Sequence, residues 1–73
     1  MTKEQFRITI GKNIRRERNA RKLSIEELAE LLNFTPGFIY LMERGYRGTT
    51  SFTLYRLAEL FETTVDGLIN GCD

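Results

Sequence analysis

The chain contains no histidine and no tryptophan, a single proline and a single cysteine among 73 residues. One thiol, Cys72, cannot close an internal disulfide, so a secreted disulfide scaffold is excluded. With no histidine and no Cys-x-x-Cys pair, the usual ligands of a zinc site are missing, and no metal or cofactor is expected. The same absences remove every familiar nucleophile–base pairing, which argues against an enzyme. No apolar run approaches bilayer length and no signal-peptide core stands at the start, so a cytoplasmic protein is expected, with no membrane partner. The glycines read as helix stops and do not form a phosphate loop.

What is present suits one small globular domain spanning 1–73. Hydrophobic residues make up 41% and charged residues 29%, too apolar and too balanced for disorder. The net charge of +1 conceals an asymmetry. Residues 1–22 hold eight Lys and Arg against two Glu; residues 23–73 hold three Arg against eight Asp and Glu. Such a split fits a molecule that turns one face to a polyanion, although a solvated basic helix would look the same.

The helical punctuation is explicit. Thr2 with Gln5, and Ser24 with Glu27, form capping boxes. Phe6, Ile10 and Ile14 recur every four residues as a buried stripe, and Arg18 falls on it as a misfit. Leu28, Leu31 and Leu32 give the second helix its apolar face, and Asn33 suits a left-handed stop. Thr35-Pro36 restarts a helix, with Pro at the first position where its missing N–H costs nothing. Ile39 and Met42 point inward, and Gly45 ends this helix. Thr50 or Ser51 caps a fourth helix carrying Leu54, Leu57, Ala58 and Phe61, and Thr64 caps a fifth. Five short helices with no credible strand predict an all-α fold. Its central pair, residues 24–44, has the spacing of a helix-turn-helix.

Four segments at fixed spacing, IGKNIRRER, LSIEELAELL, IYLMERGYRG and TLYRLAELFETTVDGLI, make the chain resemble the lambda-repressor-like (Cro/C1, Xre-type) helix-turn-helix family from about residue 10 to 69. The resemblance implies a compact five-helix domain and a transcriptional regulator, in the manner of a repressor, that places helix 36–44 in the DNA major groove. It implies that Arg18 pairs with Glu43, as a charge on an apolar stripe requires. It implies phosphate contacts from the Ser24 and Ile25 amides and the Ser24 hydroxyl, and from Arg44, Tyr46 and Arg47. Homodimerisation follows from the need to read two half-sites, and Phe61, Val65, Leu68 and Ile69 in the acidic C-terminal part are the expected contact.

Three departures bear on function. Ile25 stands where the family commonly has a phosphate-binding glutamine. Thr49-Thr50 replaces a proline, and Ser51 replaces a leucine, so Phe52 is expected to supply that apolar contact or to lie exposed at an interface. The helix expected to enter the groove presents Thr35, Gly37, Phe38, Tyr40 and Leu41, none of which can bond adenine or guanine in bidentate fashion. Two readings follow. The helix meets DNA through phosphates, thymine methyl groups and shape, or its apolar face meets a protein antagonist, as an antirepressor- or antitoxin-like module would.

Overall fold

In the computed structural model, which describes residues 1–70, five α-helices follow in order: α1 (Lys3–Ala20), α2 (Ile25–Leu32), α3 (Pro36–Glu43), α4 (Ser51–Leu60) and α5 (Val65–Asn70). Cys72 lies outside the described residues. Each helix starts where a hydroxyl can replace a missing acceptor. Thr2 and Gln5 exchange two hydrogen bonds, as do Ser24 and Glu27. Thr35 accepts from the Phe38 amide, Thr50 from the Thr53 amide and Thr64 from the Gly67 amide. Of the two candidates before α4, the cap is Thr50.

The ends are equally regular. α1 to α4 all close with the paired hydrogen bonds of a Schellman motif around a left-handed residue: Lys22, Asn33, Gly45 and Glu62. Glycine and asparagine tolerate this conformation, whereas Lys22 (φ 57°) and Glu62 (φ 56°) adopt it at a steric cost. Replacing the exposed Glu62 by glycine is therefore expected to stabilise the protein by about 1 kcal/mol, raising its unfolding midpoint by roughly 4–8 °C in a thermal melt followed by circular dichroism.

The apolar faces converge on one core. Ile10 and Ile14 of α1 meet Leu28, Ala29 and Leu32 of α2 and Ile39 and Met42 of α3, with Leu54, Leu57, Ala58, Phe61 and Leu68 completing the cluster. α1 packs on α3 and α5, α2 on α3, and α4 on α5. Three arginines turn their guanidinium groups to carbonyls that regular structure leaves without a partner: Arg18 to Leu23, Arg21 to Phe61, and Arg56 to Leu32. Asn13, buried in α1, donates to the Leu68 carbonyl and ties α5 down.

The structure corrects several sequence expectations. Phe6 is 37% exposed, because the stripe of α1 outruns the core at its N-terminal end. Leu31 and Phe52 are exposed at 52% and 68%. Leu31 lies on the outer edge of α2, and Phe52 supplies no core contact, sitting instead beneath the Arg56 guanidinium. Phe61 and Leu68 are almost fully buried, so they cannot form the surface of a dimer. A core this small needs both of them. Of the four residues expected at that contact, only the half-buried Val65 and Ile69 retain surface.

The glycines divide as well. Gly45 is a helix stop, but Gly11 sits in the middle of α1, where a Cβ would lie 2.4 Å from the Met42 carbonyl oxygen and 2.6 Å from that of Glu43. Its missing side chain is what lets the end of α3 rest directly on α1.

Candidate nucleic-acid interface

α2 and α3 are joined by the turn Asn33-Phe34-Thr35, and α3 lies across α2 with Ile39 and Met42 fully buried beneath it. The lock at its C-terminal end is electrostatic. Arg18 Nε donates to Glu43 Oε2 at 2.7 Å and a terminal nitrogen donates to Oε1 at 3.1 Å, while the other terminal nitrogen donates to the Leu23 carbonyl at 2.7 Å. Both side chains are buried. The planar fork of arginine satisfies both carboxylate oxygens at once, which an ammonium group cannot do.

Around this lock lies a basic, partly aromatic surface. Ser24, Thr35, Gly37, Tyr40, Arg44, Tyr46 and Arg47 are exposed, whereas Ile25, Phe38 and Leu41 are half-buried. Phe38 packs against Phe34 with ring centroids 4.7 Å apart, and the Arg47 guanidinium carbon lies 5.1 Å from the Phe38 centroid. Arg44 covers Tyr40 in the same way, also at 5.1 Å. These cation–π contacts contribute roughly 0.5–1 kcal/mol each at an exposed site. Much of the apolar surface of α3 is therefore a bed that orients two arginines, rather than an open aromatic patch. Neither arginine forms an ion pair among the described residues.

The start of α2 differs from expectation. The Ser24 amide donates to the Glu27 carboxylate at 2.8 Å, so that amide is occupied by the capping box. What remains for an anion is the Ser24 hydroxyl proton and the Ile25 amide, close to the Glu26 and Glu27 charges. Half-buried Ile25 forms one wall of a depression of about 90 Å³ whose other walls are Arg15, Arg18, Tyr40, Glu43 and Arg44. Arg15 thus joins this surface from α1, although its sequence context suggests only a solvated face. The signal that could have found it is its position three residues before Arg18, on the same side of the helix.

Gly37 is the opposite case to Gly11. A Cβ there would meet no atom within 4 Å, so packing within the chain does not demand a glycine at this exposed position of α3. Among the described residues no group of three His, Cys, Asp or Glu is placed to hold a metal ion, and no helix is long and apolar enough to cross a membrane.

Known proteins bear out the architecture. The model of a helix-turn-helix family, HTH_3, matches residues 14–68. Among solved structures, the restriction-modification controller protein C.AhdI from Aeromonas hydrophila is 28% identical over 84% of this chain and 92% of its own, with a TM-score of 0.76. The clp gene regulator ClgR from Corynebacterium glutamicum is 25% identical over 89% of this chain and 69% of its own, with a TM-score of 0.83. The DNA-binding domain of BldD shares the fold at 24% identity, covering 94% of this chain and 99% of that domain with a TM-score of 0.80. No curated protein matches the chain. With five helices in the same arrangement and a family match over most of its length, this chain belongs to the HTH_3 helix-turn-helix family, the Cro/C1 type.

Proposed function

We propose that the protein is a DNA-binding transcriptional regulator, acting in the cytoplasm as a repressor, that inserts α3 into the major groove. The observation that carries this reading is the arrangement of Arg15, Arg44 and Arg47, free of carboxylate partners among the described residues, around the exposed face of a helix locked by Arg18 and Glu43. Arg15, Arg44, the Ser24 hydroxyl and the Ile25 amide grip phosphate around the depression beside Tyr40, and Tyr46 and Arg47 do so from the loop after α3. Between them, Thr35, Gly37, Phe38, Tyr40 and Leu41 read little by hydrogen bonding. Thymine methyl contact and DNA shape supply the sequence preference. A helix glycine with no packing reason, as at Gly37, suits close approach by a groove wall.

The repressor role rests on likeness to the family, as does the homodimer that would bring two α3 helices to successive half-sites. Such a dimer would use Val65 and Ile69 from the C-terminal part. The reading of α3 as a protein-binding face draws less support, because Phe38 is half-buried and cations stand against the rings of both Tyr40 and Phe38.

The test is fluorescence anisotropy against duplex DNA, including DNA flanking the protein's own gene, at several salt concentrations. The log–log slope should be steep, and Arg44→Ala with Arg47→Ala should flatten it by about 0.9 for each phosphate that is no longer neutralised. An unchanged slope in the double variant would remove these arginines from the interface, and failure to bind any duplex would sink the reading.

A further inference from the structure

At the C-terminal end of α3, a surface pocket of about 190 Å³ lies between the first half of α1 and the loop that follows α3. Its floor is apolar, made by Ile10 and Met42 from the core with the ring of Phe6 beside them. Its other lining residues are Lys3, Arg7, Arg47, Gly48 and Thr49. The pocket thus combines three cations with no acidic side chain, and none of the three forms an ion pair among the described residues. The stem of Arg7 runs beneath Gly48, where a Cβ would stand 3.5 Å from its Cδ, and the Arg7 Nε is buried without a hydrogen-bond partner. That nitrogen is closed to solvent, so Arg7 serves the pocket through the charge of its guanidinium group and not through this donor.

We propose that this pocket binds a small organic carboxylate with an apolar body of about six carbons, the carboxylate held by Arg7 and Arg47. A cavity of roughly 150 Å³ is enough to hold benzene, which sets the size of the body. A bare inorganic anion would gain nothing from the floor formed by Phe6, Ile10 and Met42. A neutral apolar molecule would leave Lys3, Arg7 and Arg47 without a counter-charge. Arg47 is shared with the surface around α3, so an occupied pocket and bound DNA would compete for it, with reciprocal effects on both affinities. That coupling rests on the DNA-binding reading; the pocket does not.

The experiment is a titration of isotopically labelled protein, without DNA, followed by amide chemical shifts at constant ionic strength. Benzoate and hexanoate should give saturable shifts at Phe6, Arg7, Gly48 and Thr49. Benzyl alcohol, which lacks the charge, and acetate, which lacks the body, should bind at least about tenfold more weakly. Arg7→Gln should lower benzoate affinity about tenfold, and Arg47→Gln should lower it as well, in protein whose spectrum otherwise remains folded. Three results would overturn the proposal: no saturable shift at the pocket, equal binding of benzyl alcohol and benzoate, or wild-type affinity in folded Arg7→Gln. If Arg7→Gln fails to fold, the decision passes to Arg47→Gln and Lys3→Gln, and undiminished affinity in both overturns it.

Discussion

Gly11→Ala is expected to remove a large part of the protein's stability, about 3 kcal/mol from the roughly 4–11 kcal/mol typical of a chain of this length. Two terms of opposite sign compete. Alanine is the better helix former by about 0.5–1 kcal/mol, which favours the substitution. Against it, the new methyl would stand 2.4 Å and 2.6 Å from two backbone carbonyl oxygens of α3, and backbone cannot swing aside as a side chain can. Steric overlap wins, and relief requires α1 and α3 to separate, which also pulls on the Arg18–Glu43 pair. Gly37→Ala supplies the control: the same change in α3 meets no atom within 4 Å and should stabilise by up to about 1 kcal/mol. Urea denaturation of the two variants should therefore give midpoint shifts of opposite sign. A wild-type midpoint for Gly11→Ala would mean that α1 and α3 do not make this approach.

Truncating Arg18 is the second large effect, on the order of 3 kcal/mol. Arg18→Ala strands the Glu43 carboxylate, buried and deprived of both donors, and frees the Leu23 carbonyl as well. Glu43→Ala strands a buried guanidinium in the same way. The cost lies in the orphaned partner more than in the pair, since the attraction between two charges in the interior roughly offsets their desolvation. A double replacement by apolar residues, Arg18→Met with Glu43→Leu, should thus recover most of what either truncation loses. Arg18→Lys should not, because one ammonium cannot replace a fork that reaches two carboxylate oxygens and a carbonyl. A double-mutant cycle in denaturant measures this directly. Single truncations that each cost less than about 0.5 kcal/mol would show the pair to behave like an exposed one.

These two features differ in how readable they are. Arg18 announces itself by interrupting an apolar stripe, which calls for a buried partner, and the family resemblance points to Glu43 as that partner. Gly11 gives no such sign, because a glycine within a helix does not say whether backbone lies opposite it. Helix starts are legible for a local reason: Thr2, Ser24, Thr35, Thr50 and Thr64 bond atoms only three residues away. Helix ends are legible at Asn33 and Gly45 but not at Lys22 and Glu62, where tertiary packing holds an unfavourable backbone conformation. Periodicity marks the apolar faces of α1 and α2 without showing how far they are covered, and so Phe6 and Leu31 are partly open. The acidic composition of the C-terminal part suggests surface, yet Phe61 and Leu68 complete a core that would otherwise be open at that end.

At the candidate interface, residue identities are readable and their arrangement only in part. Tyr40 lies in α3 and Arg44 caps its end four residues on, so their contact follows from spacing. The placement of Arg47 over Phe38 depends on a loop path that no local pattern dictates. That contact changes the meaning of α3, whose rings serve in part as supports for cations.

The central claim is that this surface meets DNA, and an amide chemical-shift map of the labelled protein with duplex DNA from the flank of its own gene tests it most directly. The account predicts perturbations concentrated at Ser24, Ile25, Gly37, Tyr40, Arg44, Tyr46 and Arg47, fading as salt is raised, with the exposed Tyr55 face of α4 unaffected. Perturbations centred on α4, or a spectrum unchanged by any duplex, would contradict it.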